Sequence, residues 1–182
     1  MSVERATRGF RLEPAPVLLA SAVGVTAAAA DQLSKRWALD ALADGQRIDL
    51  LPTVWLQLVR NPGVAFGLGG TLGPLAVLGL FVLVLTLLVL LVVRLRRREP
   101  LLGSIALAVA VGGAVGNLVD RVARARDQPL SGEVVDFIVV DWFAVFNGAD
   151  IFVTCGLAGW ALSAAAGARR IRRAADRPET AT

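Results

Sequence analysis

Residues 74–93 run PLAVLGLFVLVLTLLVLLVV without a single charge. That is roughly the 20 residues a helix needs to cross the hydrocarbon core of a bilayer. Inside such a core every backbone N–H and C=O must be satisfied within the protein, so the run has to be a helix. Its nearly pure Leu/Val composition is that of a helix facing lipid, and Arg94, Arg96, Arg97 and Arg98 stop it abruptly. The rest of the chain must therefore be organised around a membrane. With 182 residues, 55% of them hydrophobic, the expectation is one polytopic domain.

Three further apolar segments follow the same logic. The first covers about 16–37 and the third 101–119, while the fourth begins near Ala149 and fades at about Ala166. The arginines before the first segment and its Ala28-Ala29-Ala30 also fit a cleavable secretory signal. A retained anchor is the better reading, because the segment continues into the charged run Asp31-Gln32-Leu33-Ser34-Lys35. Residues 1–15 read as a polar tail, 16–168 as one membrane domain and 169–182 as a basic tail. Between the spans, Trp55 to Val59 has strand-forming residues, Asn61-Pro62-Gly63 is a turn signal, and 121–132 is a polar loop.

Four spans put both termini on one side. Under this layout the N-terminal tail carries three Lys or Arg, the 94–98 loop four and the C-terminal tail five. The two opposite segments, together with Lys35 and Arg36 at the outer end of the first span, carry seven, spread over far more chain. The excess of positive charge places both termini in the cytoplasm and turns 38–71 and 120–148 outward. Basic residues beside apolar spans orient a membrane protein rather than bind nucleic acid. Histidine is absent and Cys155 is the only cysteine. Ser-His-Asp and Cys-His catalysis, histidine zinc sites and an intrachain disulfide are thereby excluded.

This topology draws carboxylates to one membrane level. Asp31 closes the first span, Asp120 closes the third, Asp150 opens the fourth, and Asp136 lies just before it. Ionisable groups at bilayer depth are costly and mark functional sites by default. Each also has a structural reading. Asp31 and Lys35 have the spacing of a helical ion pair. Asp120 could be an interfacial anchor kept ionised by Arg121, with Asn117 joining helices. Asn147 and Asp150 imitate a capping box. Asn61-Pro62-Gly63 could be a turn or could present an amide and open backbone to an extended peptide. If residues 134–140 are extended, Val134, Asp136, Ile138 and Val140 share one face, so that Asp136 interrupts an apolar surface. Burial there raises its pKa, whereas a helix N-terminus favours a charged Asp150. A pair biased in opposite directions is what a two-carboxylate acid/base site needs. In the third span, Gly112 and Gly116 form a small face for close helix packing. Gly113, Asn117, Asp120 and Arg121 form a stripe beside it.

Together, DQLSK at 31–35, NPGVAFG at 61–67, GGAVGNLVDR at 112–121, VVDF at 134–137 and FNGAD at 146–150 resemble the lipoprotein signal peptidase (signal peptidase II) family. The resemblance covers about residues 16–166, with the motifs in the family's order. It implies a bacterial inner-membrane aspartic endopeptidase that cuts signal peptides from prolipoproteins just before a diacylglyceryl-modified cysteine. The implied fold is all-α and polytopic, with four transmembrane helices, a small extracytoplasmic β-sheet cradle, and a short outer helix within 38–71. The implied catalytic residues are Asp136 and Asp150. Asn61, Gly63, Asn117, Asp120, Arg121, Val134 and Asn147 are implied to line the substrate site or support the dyad, and Asp31 and Lys35 to shape it. No metal or cofactor is implied; the partners are the bilayer and lipid-modified prolipoproteins, and a monomer suffices because one chain supplies every site residue. The loop from Val122 to Glu133 is longer and more charged than the family's usual link. Two rivals remain: a proton-coupled transporter, with carboxylates relaying protons, and a Ser34–Lys35 peptidase, whose adjacent side chains would not face one another on a helix.

Overall fold

The structure is a computed structural model, and it describes residues 12–62, 73–125 and 131–175. Four helices dominate it: α1 (Pro14–Ala41), α2 (Gly73–Arg96), α3 (Leu101–Ala123) and α4 (Gly148–Ala175). All four contain stretches long and apolar enough to cross a membrane. Between α1 and α2 lie β1 (Arg47–Leu51) and β2 (Val54–Asn61), and between α3 and α4 lie β3 (Val134–Val140) and β4 (Val145–Phe146). The strands form one antiparallel sheet in the order β1-β2-β3-β4. The expected four-helix membrane architecture with a small sheet is thus the architecture found.

Each helix outruns the apolar segment that announces it. α1 has Pro14 in its first turn, where a missing N–H costs nothing, and continues through the charged run to Ala41. α4 continues through the arginines of the C-terminal segment, read from the sequence as a basic tail, to Ala175. Lipid dictates where a helix must be apolar, not where it must stop; beyond the bilayer, hydrogen-bonding propagation carries it on. Of the range 38–71 in which a short outer helix is expected, residues 63–71 lie outside the described residues, and the described part holds, beyond the end of α1, a one-turn 3-10 segment at Ala43–Gly45. There Asp44 (φ 56°) and Gly45 (φ 78°) take left-handed backbone angles that swing the chain from α1 into β1. Residues 63–67 of the NPGVAFG motif, Gly63 among them, lie outside the described residues.

α3 is the central helix, and its composition explains why. Its buried face is made of small residues, among them Ala108, Ala110, Gly112, Gly113, Ala114 and Gly116. Without a hydrophobic driving force between helices in lipid, close van der Waals approach holds them together, and small residues permit it. Gly112 and Gly116 face α1: a side chain on Gly112 would strike the Gly24 carbonyl and Ala27, and one on Gly116 would strike the Asp31 carboxylate. Gly113 faces α4, where a methyl group would sit 2.5 Å from the Ala149 carbonyl oxygen and 2.9 Å from Phe152 Cβ. The expected small-residue face therefore exists, and the glycine between its two members serves a second helix. By contrast α2 touches α3 along one stripe, with Val84, Leu87 and Leu91 buried at i, i+3 and i+7. Leu78, Phe81, Val82, Leu85 and Val89 are left exposed, as suits a helix on the lipid side.

The sheet is anchored to the helices through one of its faces. Val135 and Phe137 are buried against Ala38 and Leu42 near the end of α1, and the Phe137 ring meets Trp37 edge-on at 6.3 Å between centroids. Side chains alternate along a strand, so fixing Val135 and Phe137 on α1 turns Asp136 to the opposite face. On that face Asp136 pairs across β2 with Val59, and Val134 with Asn61.

Candidate active site

Near the start of β3 the backbone aims Asp136 towards the start of α4. The side chain is 3% exposed, yet neither oxygen is abandoned. Asn61 Nδ2, from the end of β2, donates to Asp136 Oδ2 at 3.0 Å. Asn147 Nδ2 donates to Asp136 Oδ1 at 2.6 Å. Burial is the largest influence on this carboxyl and pushes its pKa up to about 6; the Asn61 hydrogen bond opposes the shift, and the charge of nearby Asp150 adds to it. The expected burial and raised pKa are both present.

Asn147 is the N-cap residue of α4, and it forms the expected capping box with Asp150. The Asn147 backbone N–H donates to Asp150 Oδ2 at 3.0 Å, and the Asp150 N–H donates to Asn147 Oδ1 at 3.1 Å. The other Asp150 oxygen, Oδ1, accepts from Asn117 Nδ2 of α3 at 3.0 Å. Asn117 Oδ1 in turn accepts from Asn147 Nδ2 at 3.1 Å. Three amides thus hold two carboxylates. Asn61 and Asn147 grip Asp136, Asn117 and the backbone of Asn147 grip Asp150, and Asn147 spans both.

Behind these amides lies a buried ionic cluster. Lys35 is completely buried, as are Asp31 and Asp120. Its ammonium lies 2.8 Å from Asp31 Oδ2 and 2.9 Å from Asp120 Oδ2, and donates to Asn117 Oδ1 at 2.8 Å. Asp120 also accepts from Arg124 Nε at 3.1 Å. Of the two readings open for Asp120, the interfacial anchor beside Arg121 is not the geometry found: Asp120 is fully buried and pairs with Lys35 and Arg124. Consecutive helical residues point about 100° apart, so Asp120 meets Lys35 across the interface and Arg124 one turn along. Arg121 instead donates to the Gly132 carbonyl at 2.8 Å, closing the loop between α3 and β3. The Asp31–Lys35 pair stands as expected, and it is shared rather than private.

Of the residues singled out in the sequence, Asp31, Lys35, Asn61, Asn117, Asp120, Asp136, Asn147 and Asp150 are brought into one hydrogen-bonded assembly, with Arg121 and Val134 at its edge. Gly63 lies outside the described residues. Two participants went unrecognised. Gln32 reaches Asp31 Oδ2 (3.2 Å), the Gly116 carbonyl (3.0 Å) and Asp120 Oδ1 (3.3 Å), tying α1 to α3. Arg124 was signalled by its four-residue spacing from Asp120. The Ser34–Lys35 reading fails, because the Ser34 hydroxyl donates to the Asp31 carbonyl at 2.7 Å while Lys35 is engaged elsewhere. Among the described residues no three His, Cys, Asp or Glu side chains converge as metal ligands would.

Comparison with known proteins identifies the family. The family model for signal peptidase (SPase) II matches residues 23–166. The lipoprotein signal peptidase of Bifidobacterium adolescentis is 42% identical over 138 residues, which cover 75% of this chain and 71% of that protein. The lipoprotein signal peptidase of Streptomyces griseus is 38% identical over 143 residues, 77% of this chain and 69% of that protein. That of Mycobacterium avium is 38% identical over 149 residues, covering 79% and 76%. In architecture the chain is similar to two solved bacterial membrane enzymes obtained by the in meso method. One superposes with a TM-score of 0.64 at 24% identity, covering 90% of this chain and 94% of the other. The second superposes with a TM-score of 0.60 at 27% identity, covering 79% and 90%. With the family model spanning most of the chain and relatives near 40% identity, this multi-pass membrane protein is a peptidase belonging to the signal peptidase II family.

Proposed function

We propose that this chain is an aspartic endopeptidase that removes the signal peptide from diacylglyceryl-modified prolipoproteins, hydrolysing the bond before the lipidated cysteine. The observation that carries the reading is the bridging of Asp136 and Asp150 by Asn147, which holds two carboxyl groups at one end of the helix bundle in unequal environments. A water between them loses a proton to Asp150 as its oxygen attacks the scissile carbonyl carbon. Asp136, whose burial makes it hold a proton more firmly than an ordinary carboxyl, donates to the carbonyl oxygen. The resulting gem-diol then expels the amine of the lipidated cysteine, which takes the proton held by Asp150 as the C–N bond breaks, while one gem-diol hydroxyl returns its proton to Asp136 and re-forms the carbonyl. Each acid ends one proton exchanged, as general acid–base catalysis requires. The names of the relatives support the substrate class.

The test is direct. The purified chain, given a diacylglyceryl-modified prolipoprotein in detergent or bilayer, is expected to yield a mature product whose N-terminal residue is the modified cysteine, read by intact mass. The same substrate with its cysteine unmodified is expected to remain uncut. Cleavage of both at equal rates would remove the lipid from the reading, and cleavage at another bond would overturn it.

The site faces the outer side of the membrane in this proposal, with both termini cytoplasmic, as the distribution of Lys and Arg supports. On a Cys155→Ala background, an impermeant thiol reagent added to spheroplasts is expected to label Gln46→Cys and leave Arg97→Cys untouched. The reverse pattern would invert the topology.

A further inference from the structure

The buried ammonium of Lys35 sits behind the proposed dyad and touches neither of its members in any hydrogen bond described above. An ammonium has three protons to give, and all three are taken: by Asp31 Oδ2 (2.8 Å), Asp120 Oδ2 (2.9 Å) and Asn117 Oδ1 (2.8 Å). What those three acceptors do next is not symmetric with an ordinary structural ion pair. Asp31 uses its other oxygen, Oδ1, to accept the backbone N–H of Ala149 at 2.9 Å. Asp120 uses Oδ2 to accept the backbone N–H of Val135 at 3.2 Å. Ala149 immediately precedes Asp150, and Val135 immediately precedes Asp136. The third acceptor, Asn117, passes its own N–H to Asp150 Oδ1 at 3.0 Å.

We propose that Lys35 is the positioning residue of this site: through Asp31 and Asp120 it pins the backbone one residue before each catalytic carboxyl, and through Asn117 it orients the amide that grips Asp150. The inference rests on the dyad reading given under Proposed function. Three elements that are remote in sequence, α1, α3 and the β3–α4 segment, are thereby referred to one atom, Lys35 Nζ. The separation of the two carboxyls then depends on that atom more than on either acid's own strand or helix. Asn117 Oδ1 accepts from both Lys35 and Asn147. Its NH2 group therefore has only the Asp150 side to turn to, and Lys35 decides which end of the amide faces the site.

A residue that only stabilised the fold would affect how much protein folds, not how fast the folded protein turns over. Lys35→Met keeps the length and removes the three donors. Because it leaves Asp31 and Asp120 buried without their cation, the companion is Lys35→Met/Asp120→Asn, which removes one of the two negative charges as well. An amide can still accept the Val135 N–H. The experiment measures kcat and KM for the lipid-modified substrate on material that elutes as a monodisperse peak and melts cooperatively. For the folded fraction of either variant kcat is expected to fall by about 10²-fold, as displacement of catalytic groups by about 1 Å does, with KM within about threefold of wild type. Lys35→Arg is expected to fail likewise, because a planar fork cannot reproduce three tetrahedral donors. A folded Lys35→Met or double variant with kcat within about threefold of wild type overturns the proposal. So does a loss that lies wholly in KM. Asp136→Asn and Asp150→Asn are assayed alongside. If they are inactive while Lys35→Met is not, only the positioning role is lost; if they are active, the dyad reading itself fails.

Discussion

Asp136→Asn and Asp150→Asn are each expected to lower kcat for the lipid-modified substrate by about 10³-fold or more while leaving the protein folded. General acid–base groups contribute roughly 10²–10⁴-fold each, and in the proposed mechanism the two act on one water, so loss of either stalls the same step. The asparagine variants suit the test because they keep shape and burial. Near wild-type turnover by either folded variant would overturn the dyad. Asp136→Asn also carries a thermodynamic signature. The folded-state pKa of about 6 lies above the ordinary 3.8, so the folded protein keeps a proton that the unfolded chain has released between those values. Stability contributed by Asp136 is therefore fully present below pH 4 and is lost as pH rises towards and through 6. The slope can approach about 1.4 kcal/mol per pH unit. Thermal melting in detergent from pH 4 to 7 is expected to show wild type losing stability relative to Asp136→Asn across this window. Parallel pH profiles would mean that Asp136 is not held protonated by its surroundings.

Asn147→Asp is expected to reduce kcat by about 10²-fold, although it changes only the amide NH2 to an oxygen. Asn147 Nδ2 is the donor 2.6 Å from Asp136 Oδ1 and 3.1 Å from Asn117 Oδ1. A carboxylate there offers acceptors to acceptors. It also brings a third negative charge beside Asp136, which raises that group's proton affinity further and draws the dyad away from its working protonation state. The capping role survives, since Asp is as good an N-cap as Asn. Helix α4 should therefore start normally, and the loss should appear in turnover rather than in folding. Activity within about threefold of wild type would show that Asn147 serves the helix alone.

Part of this arrangement was legible without coordinates because it is local. A charge-free run such as 74–93 must be a helix in lipid, whatever surrounds it. The alternation through Val134–Val140 was correct because Val135 and Phe137 have an apolar helix to rest on. The Asn147–Asp150 box was visible because capping is set by residues three apart. Adjacency left the role of Asp120 open: Arg121 is its neighbour along the chain, yet the ion pairs of Asp120 are with Lys35 and Arg124. The extensions of α1 and α4 were also illegible, because apolarity marks the bilayer and not the helix end.

By itself, then, the amino-acid sequence determined that the chain crosses a membrane four times, that its carboxylates gather near span ends on one side, and which family it resembles. Those properties follow from hydrophobic periodicity and from motifs short enough to be read along the chain. Only the tertiary structure decided which acid holds which neighbour. Lys35 and Asn117 are 82 positions apart, and Asp31 and Ala149 are 118 apart. Such partners meet only because glycines on α3 let α1 and α4 approach within contact distance. A buried charge is tolerable only where its hydrogen bonds are completed, and completing them across three helices is a property of the packed whole.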